Sequence, residues 1–120
     1  MSGPVTHPVV HLELRTANLS PACAFYAQLF DWSAEAVRAG SGSYIALDLG
    51  HGIDGGVVEG EGIQPSWLPY VEVDDIEQTT KCGRELGAAV MLEPREGPAG
   101  WRSVLAVPDG AEVALWQPKV

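Results

Sequence analysis

HLELRTANLSPACAFYAQLF, residues 11–30, passes from a strand pattern to a helix pattern within one short stretch. Leu12, Leu14 and Thr16 alternate with His11, Glu13 and Arg15, the two-residue period of a strand with one face on packed elements and one facing something polar. Asn18 or Ser20 then offers a helix cap. Pro21 suits a first turn, where its missing N–H has no intrahelical partner. Leu19, Cys23, Tyr26 and Leu29–Phe30 form one stripe at helical spacing, which reads as core packing.

The chain states this pattern twice. A shift of 57 positions (68 − 11 = 57) lays LPYVEVDDIEQTTKCGRELG, residues 68–87, over it, with Leu14 on Val71, Leu19 on Ile76 and Leu29 on Leu86. The same offset places SYIALDL (43–49) over GWRSVLA (100–106), so each half reads strand, helix, then several strands. The first half predicts later strands near 33–38, 43–49 and 53–59, and the second near 88–93, 101–107 and 112–117. Asp74 or Asp75 caps the second helix, with Gln78 placed for a capping box, and that helix runs to Gly87. Pro108-Asp109-Gly110 is a turn, since proline fixes φ and glycine permits positive φ. GEGIQPS (60–66) reads as a linker. EPREGPAG (93–100) reads as either a plain connection or a lid.

The chain of 120 residues suits one domain, 1–120, able to bury a core without staples. Seven Lys and Arg against sixteen Asp and Glu give a formal net charge of −9, whose field repels phosphate backbones and anionic lipid surfaces. Nucleic acid and membrane are therefore poor partners. MSGPVTHPVV lacks the pattern of a secretory leader, and no run approaches the ~20 apolar residues of a membrane span, so a cytoplasmic location is expected. Cys23 and Cys82 form no metal or disulfide motif and read as small buried hydrophobes. His7 and His51 read as solvent-exposed.

A first strand opening on His11, AFYAQLFDW (24–32) on the first helix, VEVDDIE (71–77) entering the second and VPDGAEVALWQP (107–118) at the end together resemble the vicinal oxygen chelate superfamily. That superfamily includes glyoxalase I, extradiol dioxygenases, fosfomycin-resistance enzymes and bleomycin-binding proteins, and the resemblance runs from about residue 8 to residue 117. It implies an α+β fold of two βαβββ modules, about 8–59 and 67–117, forming a curved mixed β-sheet cup with the helices outside. It also implies a homodimer. Family metal sites take ligands from the first and last strands of each module. Here those positions are His11, Gly56 or Val57, Leu68 and Ala114. A divalent cation needs several converging oxygen or nitrogen donors, and one imidazole among aliphatic neighbours is too few. No metal and no cofactor are expected, with a rearranged site from His51, Asp54 or Glu112 as the alternative.

If Leu12, Leu14, Val71, Val73, Val113 and Leu115 face the helices, alternation sends His11, Glu13, Arg15, Leu68, Tyr70, Glu72, Glu112, Ala114 and Trp116 to the other face. The same parity adds Tyr44, Asp48, Trp101 and Ser103. Such a face is either a binding cavity or a solvated surface. As a cavity, rich in aromatics and carboxylates, it favours a flat or apolar small molecule with donor or cationic groups. One function is metal-independent binding of that molecule, of the antibiotic-sequestering type, with Tyr44, Tyr70, Trp101 and Trp116 stacking, Glu13, Glu72 and Glu112 pairing donors, and Asp48, Ser103 and Arg15 completing the lining. The alternative is an isomerase or lyase acting on an oxygenated substrate, with His11 and Glu13 or Glu72 as acid and base.

Overall fold

Both strand-to-helix stretches fold as their periodicities predict. In the computed structural model, which describes residues 6–39, 42–50 and 53–119, the first half runs β1 (Val9–Thr16), α1 (Leu19–Phe30), β2 (Ser33–Ala39), β3 (Gly42–Asp48) and β4 (Asp54–Glu59). The second runs β5 (Ser66–Glu72), α2 (Ile76–Glu85), β6 (Ala89–Glu96), β7 (Gly100–Ala106) and β8 (Glu112–Pro118). The order is βαβββ twice, an α+β fold. The strands lie in the orders β2-β3-β4-β1 and β5-β8-β7-β6. In each half the first and last strands pair in parallel, and the other pairings are antiparallel. The contacts divide the chain into two compact units, His11–Pro69 and Tyr70–Val120 with the N-terminal residues through Val10. No helix among the described residues is long and apolar enough to cross a membrane.

In the first unit Leu14, Leu47 and Val57 form the core, and Leu19, Ala22, Cys23, Tyr26, Trp32 and Trp67 pack against it. Tyr26 stacks on Trp32 at 5.6 Å between centroids and meets the edge of Trp67 at 5.4 Å. Such aromatic pairs each add about 0.5–1.5 kcal/mol beyond area burial. The apolar stripe of α1 ends earlier than its spacing predicts: Leu29 and Phe30 are 56% and 52% exposed. Asp31 adopts a left-handed C-cap, φ 61°, which turns the chain back. Trp32 fills the position against the core that the helix end would have taken. Nor does Asn18 or Ser20 cap this helix. The Leu19 N–H donates to the Glu59 carboxylate at 2.7 Å, a contact across forty residues that also places negative charge at the helix's positive end.

In the second unit Val73, Ile76, Leu105 and Leu115 form the core, with Val90, Trp101 and Val113 packed against it. Asp75 caps α2 by accepting from the Gln78 N–H at 3.1 Å, and the Gln117 side chain accepts from the Ile76 N–H at 2.8 Å. The helix ends at Glu85, and Gly87 beyond it takes φ 102°, which a side chain would strain. A Cβ on Gly83 would lie 2.7 Å from Leu105 Cδ1, so this glycine sets how closely α2 approaches β7. Pro108-Asp109-Gly110 forms the expected turn, with the Gly110 N–H donating to the Val107 carbonyl at 2.8 Å. Cys82 is exposed and Cys23 half-buried, so only Cys23 fits the expectation of a packed cysteine.

The segment 93–100 is not a lid. β6 continues through Glu96 and β7 begins at Gly100, leaving three residues between them, closed by the Gly97 N–H donating to the Gly100 carbonyl at 2.7 Å. Pro94 lies within β6 although it cannot donate to a ladder. β6 is the last strand of its order, and an edge strand with two register shifts tolerates it.

Candidate functional site

In the first unit the register separates two faces. Leu14 lies beside Val57, and Ile45 is also opposite Val57, all on the helix side. His11, Glu13 and Arg15 therefore take the face turned away from α1, together with Gly56, Ala46 and Asp48. A Cβ on Gly56 would stand 3.0 Å from His11 Nε2 and 3.3 Å from its Cε1, so the imidazole lies over this glycine. Burial holds the His11 pKa below the ordinary histidine value, with the Glu13 and Asp54 carboxylates pulling weakly the other way. The ring is thus neutral at neutral pH. Glu13 is buried and Arg15 half-buried. Asp48 is exposed, and its carboxylate accepts from the Gly50 N–H at 2.8 Å, closing the turn after β3. The Tyr44 backbone pairs with Val37, but its side chain lies outside the described residues, as does His51.

In the second unit the register corrects two assignments. Ser103 stands opposite Leu115 and is fully buried, with its hydroxyl 2.9 Å from that of Thr80 on α2. Trp101 packs against the same core, its ring beneath the Lys119 ammonium at 5.5 Å. Both residues face the helix, opposite to the parity that made them ligand contacts. The residue that parity missed is Arg102. Glu72, Trp116, Arg102 and Arg95 run in register across β5, β8, β7 and β6 on the face away from α2. The next row on that face holds Tyr70, Ala114 and Val104. Glu112 follows, opposite Ala106. Arg102 donates to the Tyr70 hydroxyl at 3.3 Å. Trp116 leans over β7: a Cβ on Gly100 would lie 2.8 Å from its Cζ2. Each unit thus seats one ring over a glycine of a neighbouring strand, His11 over Gly56 and Trp116 over Gly100.

The turn 107–111 held the missing signal. Its hairpin pairs Val107 with Ala111, which places Arg102, not Trp101 or Ser103, beside Trp116.

No protein-family model matches the chain. It is 32% identical over 114 residues to the "Putative glyoxylase CFP32" of Mycobacterium tuberculosis and of Mycobacterium bovis, a match covering 88% of this chain and 44% of each relative. The chain therefore spans less than half the length of these curated relatives. Among solved structures, hypothetical protein BH1468 of Bacillus halodurans superposes with a TM-score of 0.70 at 14% identity, covering 97% of both chains. Methylmalonyl-CoA epimerase of Mycobacterium tuberculosis superposes at 0.61 with 16% identity, over 93% of this chain and 88% of that one. The chain belongs to the vicinal oxygen chelate superfamily. Its fold is glyoxalase-like.

The metal positions that this superfamily implies do not fit a metal here. Val57 is in the core on the helix side, so the last strand of the first module offers Gly56, whose side-chain space the His11 ring fills. Leu68 and Ala114 are buried aliphatic residues, 3% and 0% exposed. One imidazole is the sole side-chain donor of the four positions, and a borderline or hard divalent cation needs three or more. Among the described residues no three His, Cys, Asp or Glu side chains converge at a point.

Proposed function

We propose that this superfamily member binds a small, flat molecule carrying donor or cationic groups and does so without a metal. The observation that supports this reading is the donor set: of the family's four ligand positions, three hold a glycine under an imidazole and two buried aliphatic residues. What remains on the faces away from the helices suits a molecule rather than an ion. Trp116 and Tyr70 offer aromatic surface, and Glu72 and Glu112 offer carboxylates to donors. A panel of basic aromatic compounds should raise the melting temperature. Occupancy at 100 Kd adds about 2.7 kcal/mol to stability, a rise of several degrees for a chain of this size. EDTA should leave the rise unchanged. A panel producing no shift, or a shift abolished by EDTA and restored by a divalent cation, refutes the reading.

The geometry around His11 favours a second reading, an isomerase or lyase acting on a small oxygenated substrate. A partly buried, neutral imidazole beside Glu13 and Asp54 is a competent proton acceptor, and relatives by fold include methylmalonyl-CoA epimerases. Under this reading His11→Ala abolishes turnover, whereas under the first it changes affinity only modestly.

A second copy of the chain is the partner proposed for the far end of α1. Phe25, Leu29 and Phe30 are each more than half exposed there, and the curated relatives are long enough to hold a second such domain. Sedimentation should find a dimer that Leu29→Glu splits; a monomeric wild type refutes it.

A further inference from the structure

Arg95 and Arg102 stand directly opposite one another on the face of the second unit turned away from α2. Like charges so placed in an antiparallel pair repel. The carboxylates nearest in sequence do not relieve them, because both are engaged on the helix side. Glu93 pairs with Arg84 of α2, and Glu96 pairs with Lys119 at 2.8 Å, beside Trp101. The register shift between Leu92 and Arg95 is what separates Arg95 from Glu93, since two residues apart on a regular strand they would share a face. Among the described residues neither arginine forms an ion pair. In a chain with a net charge of −9, two opposed and unneutralised guanidinium groups are the reverse of what the composition supplies by default. Arg102 is held in place by its hydrogen bond to the Tyr70 hydroxyl, and Trp116 stands next to it in the same row.

We propose that Arg95 and Arg102, with the Tyr70 hydroxyl orienting Arg102, form an oxyanion subsite for a carboxylate or phosphate carried by a small ligand. Guanidinium groups present paired N–H donors that match either oxyanion, and an anion seated between two of them removes their mutual repulsion as it binds. This rests on the proposed function in one respect: the anion belongs to the same molecule whose flat body lies on Trp116, which makes that ligand amphoteric rather than purely cationic.

The test uses the full chain with inorganic phosphate and propionate as probes, each compared with chloride at equal ionic strength. Binding is read by tryptophan fluorescence and by melting temperature. Saturable binding is expected, weakened about tenfold or more by Arg95→Gln and by Arg102→Gln. Arg95→Gln should also raise the melting temperature in chloride, because it removes a repulsion from the empty protein. The probe that binds more tightly identifies the group as phosphate or carboxylate. Arg95 is exposed and its side chain forms no ion pair among the described residues, so its variant remains informative even if Arg102→Gln disturbs the Tyr70 contact. Unsaturable binding of both probes, unchanged affinity in both variants, or a lower melting temperature of Arg95→Gln in chloride overturns the subsite. Basic aromatics stabilising a protein that ignores both anions would sink the subsite alone. Anion binding without any aromatic response would support it and sink the broader reading.

Discussion

The hydroxyls of Thr80 and Ser103 meet at 2.9 Å, and their residues are 2% and 0% exposed, next to the cluster of Val73, Ile76, Leu105 and Leu115. This contact ties α2 to β7. Ser103→Ala removes one partner and leaves the Thr80 hydroxyl in apolar surroundings, which costs about 1–3 kcal/mol, more than the net value of the hydrogen bond itself. At this chain length each kcal/mol lowers the melting temperature by about 3–6 °C, so a loss of roughly 6–12 °C is expected for the middle of that range. Thr80→Val, which keeps the side chain's shape, should cost a similar amount by stranding the other hydroxyl. The double variant removes both polar groups together and should cost far less than the sum, with a coupling of about 1 kcal/mol or more. Urea denaturation of the four proteins measures this, provided the m-value stays constant while the midpoint moves. Additivity within about 0.3–0.5 kcal/mol would refute the contact. So would a Ser103→Ala variant of unchanged stability and impaired ligand binding, since that would return Ser103 to the opposite face.

Because burial lowers the His11 pKa, the unfolded chain takes up this proton first as pH falls. The stability it contributes is therefore intact above about pH 6.5 and is lost as pH falls below that toward the folded value. Calorimetry of His11→Gln should show a smaller drop in melting temperature between neutral and mildly acid pH than the wild type; a larger drop contradicts the burial argument. Gly56→Ala should displace the imidazole by a few tenths of an ångström into a wetter position and raise the His11 titration midpoint, read from the ring proton by NMR. An unchanged midpoint would mean that the ring does not rest on Gly56. Asp75→Ala should cost about 1 kcal/mol in urea denaturation by freeing the Gln78 N–H, and Asp75→Asn much less; equal losses would count against a capping role.

Strand and helix identity, the duplication and the second helix's cap were legible because each depends on neighbours a few residues apart. His11, Glu13 and Arg15 share a face because a strand alternates, whatever lies beside it. Asp75 caps α2 because its acceptor is three residues from the donor. The errors have a different origin. Counting along separate strands puts Trp101 and Ser103 with Trp116, whereas a face is shared only through the pairing register, which the turn at 107–111 sets. Glu59 caps α1 from forty residues away, and the end of that helix is exposed because Asp31 turns the chain and Trp32 takes the core position.

By itself the amino-acid sequence determined the βαβββ order, its repetition and the poverty of donors at the family's metal positions, since periodicity and residue identity are local properties. The tertiary structure alone decided that His11 rests on Gly56, that Trp116 leans over Gly100 and that two arginines face each other beside Tyr70. Those facts depend on which residue of one strand lies opposite which residue of the next. A slip of one position there reverses the face of every side chain, and no composition or spacing along a single strand records it.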